Sequence, residues 1–328
     1  MRHAVVCSIR NEGPNILEWV AWQQMLGFTD LVVLTNDCTD HSGELLDLLA
    51  AAGVLVHVPV AIPEGAFPTP AKLRVAKDHP VVRSADWAFL CDIDEFLVLK
   101  DGLTLSELWP ADADFIGMSI NWRVFGTSGR ERWEDGLTHR QFTRSGGPDH
   151  PTGRWVKSAC CRLDAFDRWG AHTAVGLRDP ELLADWGAGK ARWVGATRRP
   201  LTGFDPTGPA FRMTERDEIV TARVQLNHYM MRSEESFSLK VGTRSPVSGK
   251  DRYRAQFRTN FNRNEVEDMS ARTCDAAFDA AYLRLWQIPG AGRLHHLCCA
   301  DYVARLAAKA GRRAADDPRW HRHMELAG

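Results

Sequence analysis

Five short apolar runs in the first 122 residues, set apart by segments of helix length, constrain this chain more than any other feature. They are AVVCSI at 4–9, DLVVLT at 30–35, VLVHV at 54–58, WAFLCDIDEF at 87–96 and DFIGMSINW at 114–122. After the first run, Pro14 falls in a first helical turn, Leu17, Val20 and Ala21 make an apolar face, and Gly27 marks the stop. After the second, Asp40 or Ser42 caps a helix whose core face is Leu45, Leu48, Leu49 and Ala52, closed by Gly53. A further helix over 71–84 is interrupted near Pro80. Strands that alternate with helices in this way predict an α/β fold with a parallel, doubly wound sheet. Such sheets take ligands beyond the carboxyl ends of their strands, at a switch in strand order.

The middle of the chain, roughly 126–208, is rich in Gly, Pro, Trp and Arg and reads as long functional loops with short strands such as RWVKSACCRL. From about Glu265 the pattern is helical to the end. Lys and Arg total 41 against 42 Asp and Glu, so the basic excess of a dedicated nucleic-acid binder is missing. No apolar run is long enough to span a bilayer or to form a signal-peptide core, and the expected location is the cytoplasm. Eight cysteines without a CxxC pair suit a reducing compartment. The HHLCC run at 295–299 reads as part of an amphipathic helix, because adjacent cysteines do not easily face one tetrahedral ion.

The run FLCDIDEFLVL at 89–99 holds Asp92, Asp94 and Glu95 within four positions. Ionised carboxylates among Phe and Leu are costly to bury unless something pairs with them. Residues two apart on a strand share a face, so Asp92 and Asp94 converge while Glu95 points away unless the strand has turned. Two convergent carboxylates suit a hard divalent cation such as Mg²⁺ or Mn²⁺. Beside a parallel sheet such an ion serves phosphate, which points to nucleotide-dependent chemistry.

Read in order, SIRNEGPNILEWVAWQQMLGF, LTNDCTDHSGELL, WAFLCDIDEFL, NWRVFGTSG, VKSACC and LNHYMMRSEESFSLK resemble the family 2-like glycosyltransferases, particularly the group related to family 92 (the DUF23 type). The resemblance covers roughly residues 3–270. It implies a GT-A fold over 1–262, with a nucleotide-sugar part at about 1–122 and an acceptor-side part at about 123–262. A helical C-terminal extension follows at 263–328. It implies a nucleotide-sugar donor, with a UDP-sugar favoured, and a saccharide or glycoconjugate acceptor. Asn11, Glu12, Asn36 and Asp37 would lie near the nucleoside, although Thr35 stands where an acidic residue is common. Asp92 and Asp94 match the DxD motif. His228 would join them on Mn²⁺ or Mg²⁺, and Arg74, Lys240 and Arg244 would approach the diphosphate.

The implied reaction is an inverting sugar transfer in polysaccharide or glycoconjugate assembly. A base removes the acceptor proton as the metal stabilises the departing nucleoside diphosphate. Glu134 and Asp135 of RWEDG are the first candidates for that base, with Glu131, Asp149 and His172 also open. Trp122, Trp133 and Trp155, together with His172, are expected on the acceptor side. Arg305, Lys309, Arg312 and Arg313 form a basic helix that could touch anionic lipid at the inner face of the membrane. The rival readings are a haloacid-dehalogenase-like phosphatase, with Asp92 as nucleophile, and a nucleotide-sugar-binding module without turnover.

Overall fold

A computed structural model describes residues 1–328. The chain opens with β1 (His3–Ile9), a short turn through Pro14, and α1 (Ile16–Leu26). Gly27 ends α1 in the left-handed region at φ 91° and donates to the last carbonyls, a conformation open to glycine at little cost. β2 (Asp30–Thr35), α2 (Ser42–Ala51), β3 (Val56–Pro59) and α3 (Pro68–Asp78) follow. Asp40 accepts from the backbone N–H of Ser42 at 3.1 Å and steadies the start of α2. Pro80 breaks the next helix where expected, since the following turn Pro80–Arg83 is separate.

β4 (Trp87–Leu90) and β5 (Glu95–Leu99) are two strands, not one. The chain turns through residues 91–94, and β5 leaves to the far edge of the sheet. β6 (Gly117–Val124) is the fifth expected strand. The nine-stranded sheet runs β3, β2, β1, β4, then Val156–Cys160, β6, Val224–His228 and β5. Trp193–Gly195 pairs with the first half of β6. Only Val156–Cys160 and β5 oppose the common direction. The sheet is therefore mixed but mostly parallel. β1 lies between β2 and β4, so the switch in strand order falls at the carboxyl ends of β1 and β4.

Cores cover both faces of the sheet. α1 is buried nearly all round, at Leu17, Trp19, Val20 and Trp22 alike, because a helix over Asp275–Trp286 covers the side away from the sheet. Phe278, Ala281 and Leu285 of that helix, with Leu294 and Cys298 of the long helix Ala291–Lys309, belong to the same core as β1 and β4. The C-terminal helices thus complete the larger core. No helix is long and apolar enough to cross a membrane.

Candidate functional site

The two aspartates are brought together by a corner rather than by strand alternation. Glu95 N–H donates to Asp92 O at 2.9 Å, closing a tight turn, and Asp92 N–H donates to Glu95 Oε2 at 2.9 Å. Glu95 is folded under the turn and wholly buried, while Asp92 and Asp94 line a cleft of about 990 Å³. That cleft opens at the switch point between β1 and β4, where α/β sheets present ligands.

Each acid meets a cation from a different part of the chain. Lys157, on the antiparallel strand Val156–Cys160, places Nζ 2.8 Å from Asp92 Oδ2 and 3.5 Å from Glu95 Oε2. Lys240, at the end of the helix Glu234–Lys240, lies 3.3 Å from Asp94 Oδ2 and donates to Met230 O. His228 ends its strand with Nε2 3.4 Å from Asp94 Oδ1 and Nδ1 3.6 Å from Glu95 Oε1. Burial opposes ionisation of Asp94, but Lys240 and His228 outweigh it and hold the carboxyl well below its usual range. Burial pushes Glu95 well up, against the attraction of Lys157. Burial also pulls His228 down more than Asp94 raises it.

Asp92, Asp94 and His228 offer the oxygen and nitrogen donors that a Mn²⁺ or Mg²⁺ ion accepts. The Nδ1 atom of His228 is buried without a hydrogen-bond partner, 3.6 Å from Glu95 Oε1. Asp92, Asp94 and His228 do not form a converged three-donor cluster, and Lys157 and Lys240 balance the two carboxylates.

The rest of the cleft is strongly cationic. Eight Lys and Arg side chains line it against Glu12, Asp92 and Asp94, an imbalance that suits a polyanionic ligand. Lys72 is buried with Nζ 2.9 Å from Ile9 O, and burial lowers it to about 8. Asn11, at φ 56° just beyond β1, clamps Thr39 through both side-chain ends and accepts from Arg305 at its carbonyl. Glu12 accepts from the buried Arg232 at 3.1 Å. Asn36 lines the cleft with a buried, unpartnered Oδ1, whereas Asp37 does not line it and instead accepts from Asn36.

Trp122 and Trp155 also line the cleft, stacked with centroids 5.6 Å apart at 17°, and the Trp122 ring stands 4.2 Å from that of His228. His172 sits within 5.6 Å of both rings and donates from Nδ1 to Val156 O at 2.8 Å. A carbonyl only accepts, so Nε2 of His172 is left with its lone pair. Burial lowers this imidazole to about 4.

Several expected residues lie elsewhere. Glu134 and Asp135 do not line the cleft. The first pairs with Arg130 on the surface and the second with His295. Glu131 and Asp149 are exposed outside it. Trp133 packs on Tyr302 of the long C-terminal helix, in a small separate core. Arg74 is exposed on the outer face of α3, and Lys72, two residues earlier, turns inward in its place. Arg244 lines the cleft as expected in the sequence. Arg305 turns inward to Asn11, Lys309 donates to Val241 O, and Arg313 pairs with Asp316. Lys157, Lys72 and Arg232 escaped the sequence reading. A lysine inside the apolar strand VKSAC is the one signal that could have been found, since a buried ammonium demands an acid.

No family description matches the chain, and no curated protein matches it. Among solved structures, S. aureus TarS residues 1–349 overlap 100% of this chain and 88% of that one, at 11% identity and a TM-score of 0.30. Another TarS structure overlaps 30% of this chain and 17% of its own, at 17% identity and a TM-score of 0.22. Glucosyl-3-phosphoglycerate synthase from Mycobacterium tuberculosis, in complex with Mn²⁺, UDP-glucose and phosphoglyceric acid, overlaps 60% of this chain and 70% of that one, at 15% identity and a TM-score of 0.30. The galactosyltransferase LgtC, in complex with donor and acceptor sugar analogs, overlaps 36% and 46%, at 16% identity and a TM-score of 0.25. The match thus spans less than half of LgtC and under a fifth of the longer TarS chain. Likenesses this distant carry neither activity nor substrate across.

Proposed function

We propose that this chain is a GT-A glycosyltransferase that moves a sugar from a nucleotide-sugar donor to an acceptor hydroxyl, with inversion. The observation that carries the reading is the cationic cleft at the sheet's switch point, with Asp92 and Asp94 at its base. Residues 1–122 would supply the donor half, with Asn11, Glu12 and Asn36 near the nucleoside. Lys240, Arg244 and Lys72 would meet the diphosphate, where charge-assisted hydrogen bonds are strongest. A Mn²⁺ or Mg²⁺ ion, held by Asp94, Asp92 and His228, would supply charge neutralisation at the leaving diphosphate.

The acceptor would lie along Trp122 and Trp155, whose faces suit the apolar side of a sugar ring. His172 takes the role given in the sequence to Glu134 or Asp135. Its Nε2 lone pair receives the proton of the acceptor hydroxyl while Nδ1–H stays fixed on Val156 O. At about 4 its basicity matches that of a carboxylate, so it remains unprotonated at neutral pH.

A panel of nucleotide sugars incubated with Mn²⁺ tests the proposal. Slow release of nucleoside diphosphate, lost in a folded Asp94→Ala variant, is the expected result. Release of inorganic phosphate would favour a phosphatase, and binding without release a non-catalytic module. Either outcome, or full activity in Asp94→Ala, overturns the reading.

A further inference from the structure

Outside the cleft, the RWEDG loop meets the last two helices at a second cluster of donor groups. The ligating atoms of Asp135, His296 and His323 all lie within 4.8 Å of one another, as do those of Asp135, His295 and Cys299. These residues come from three separate pieces of chain: the loop, the helix Ala291–Lys309 and the final helix Pro318–Leu326. We propose that Asp135, His296 and His323 bind one divalent transition-metal ion, with Zn²⁺ the best fit, and that the ion ties the loop to both helices.

The spacing supports this. His296 Nδ1 and His323 Nδ1 face each other at 3.2 Å. Tetrahedral zinc with bonds of about 2.0–2.1 Å sets neighbouring nitrogen and oxygen ligands about 3.3 Å apart. Each imidazole can carry its proton on Nε2 and turn a lone pair toward the shared point. Two nitrogens and one carboxylate oxygen favour zinc, cobalt or nickel over magnesium or calcium. His295 Nε2 lies 3.2 Å from Asp135 Oδ1, so that buried ring holds the carboxylate from behind, and Cys299 Sγ lies 3.5 Å from the same nitrogen. Metal-ligating carboxylates are commonly oriented by such a hydrogen bond. The Asp135 side chain is 30% exposed, which gives an ion a way in. Each of the two helices alone offers too few donors, so the site exists only in the folded chain.

The test uses the full chain in an Asp94→Ala background, which removes the cleft as a competing site. The EDTA-treated protein is titrated with Zn²⁺ by calorimetry and with Co²⁺ by visible absorption. The expected results are one tight equivalent, the intense bands of tetrahedral cobalt, and a melting temperature raised by Zn²⁺ and returned by chelator. His323→Gln, near the end of the last helix, should weaken binding at least 100-fold while its circular dichroism stays unchanged. His295→Gln should weaken binding about 10- to 100-fold. No stoichiometric binding, binding unchanged in His323→Gln, or a strong thiolate-to-cobalt band assigning Cys299 as a ligand would each overturn the proposal.

Discussion

Lys157 Nζ lies 3.5 Å from Glu95 Oε2, and both side chains are sealed from solvent, at 2% and 0% exposure. The pair sits directly under the turn that presents Asp92 and Asp94. Lys157 is the cation that opposes the upward push of burial on Glu95, and it also holds Asp92 at 2.8 Å, so its removal leaves both acids without it. Lys157→Met should therefore cost about 3 kcal/mol of stability by urea unfolding. Adding Glu95→Gln should restore part of that loss, the rest belonging to the contact with Asp92. A single variant as stable as the parent would show that Glu95 is not held by Lys157.

Lys240 spans Asp94 and Met230 O at the mouth of the same turn. If it also meets a diphosphate, Lys240→Ala should weaken binding of a nucleoside diphosphate about tenfold or more. Raising the salt concentration should weaken binding by the parent protein as well, because the cleft carries a large cationic excess. Calorimetry at two ionic strengths measures both effects.

His172→Gln should lower kcat by about 10²- to 10⁴-fold with a smaller change in donor affinity, as loss of a general base does. The parent rate should be level near neutrality and fall as pH drops through about 4, where the ring protonates. An unchanged kcat in this variant would remove His172 from the chemistry.

Acid should weaken the fold as buried imidazoles are forced to take up protons. His172 and His323 both sit near 4 when folded, below the ordinary 6.5, chiefly through burial. The unfolded chain binds protons that the native chain refuses. Stability is therefore complete above about pH 6.5 and declines as pH falls toward 4. Near pH 5, unfolding should take up roughly two protons from solvent, one onto each of these rings. Urea midpoints across that window check the slope.

Trp155→Ala should raise the acceptor KM about 3- to 10-fold and leave donor binding intact, while Trp155→Phe keeps most of the stacking surface. Equal losses for donor and acceptor would place Trp155 in scaffolding.

Gly13 is needed for close approach. A Cβ there would stand 2.4 Å from Cys298 Cβ and Sγ on the long C-terminal helix. Gly13→Ala should destabilise the protein by about 1–3 kcal/mol, seen as a lower melting temperature.

The strands at 4–9, 30–35 and 87–90, the helices after the first two of them, and the stop at Gly27 were all legible, because each rests on local periodicity and turn chemistry. So were Asp92, Asp94, Lys240, His228, Trp122 and Trp155 as lining groups. The corner at 91–94 was not. Its apolar flanks read as one continuous strand, and only pairing of Glu95 opposite His228 shows that a second strand has begun. Asp135 looked like an acid of the acceptor side, since nothing nearby in sequence reveals that His295 and His323, more than 150 residues later, would surround it.

The sequence by itself determined a mostly parallel α/β sheet and a pair of acids at its carboxyl edge, because hydrophobic spacing and helix punctuation act over a few residues. Only the tertiary structure decided which cations answer those acids and which imidazoles gather around Asp135. The partners arrive from strands and helices far apart in the chain, and burial then sets their charge.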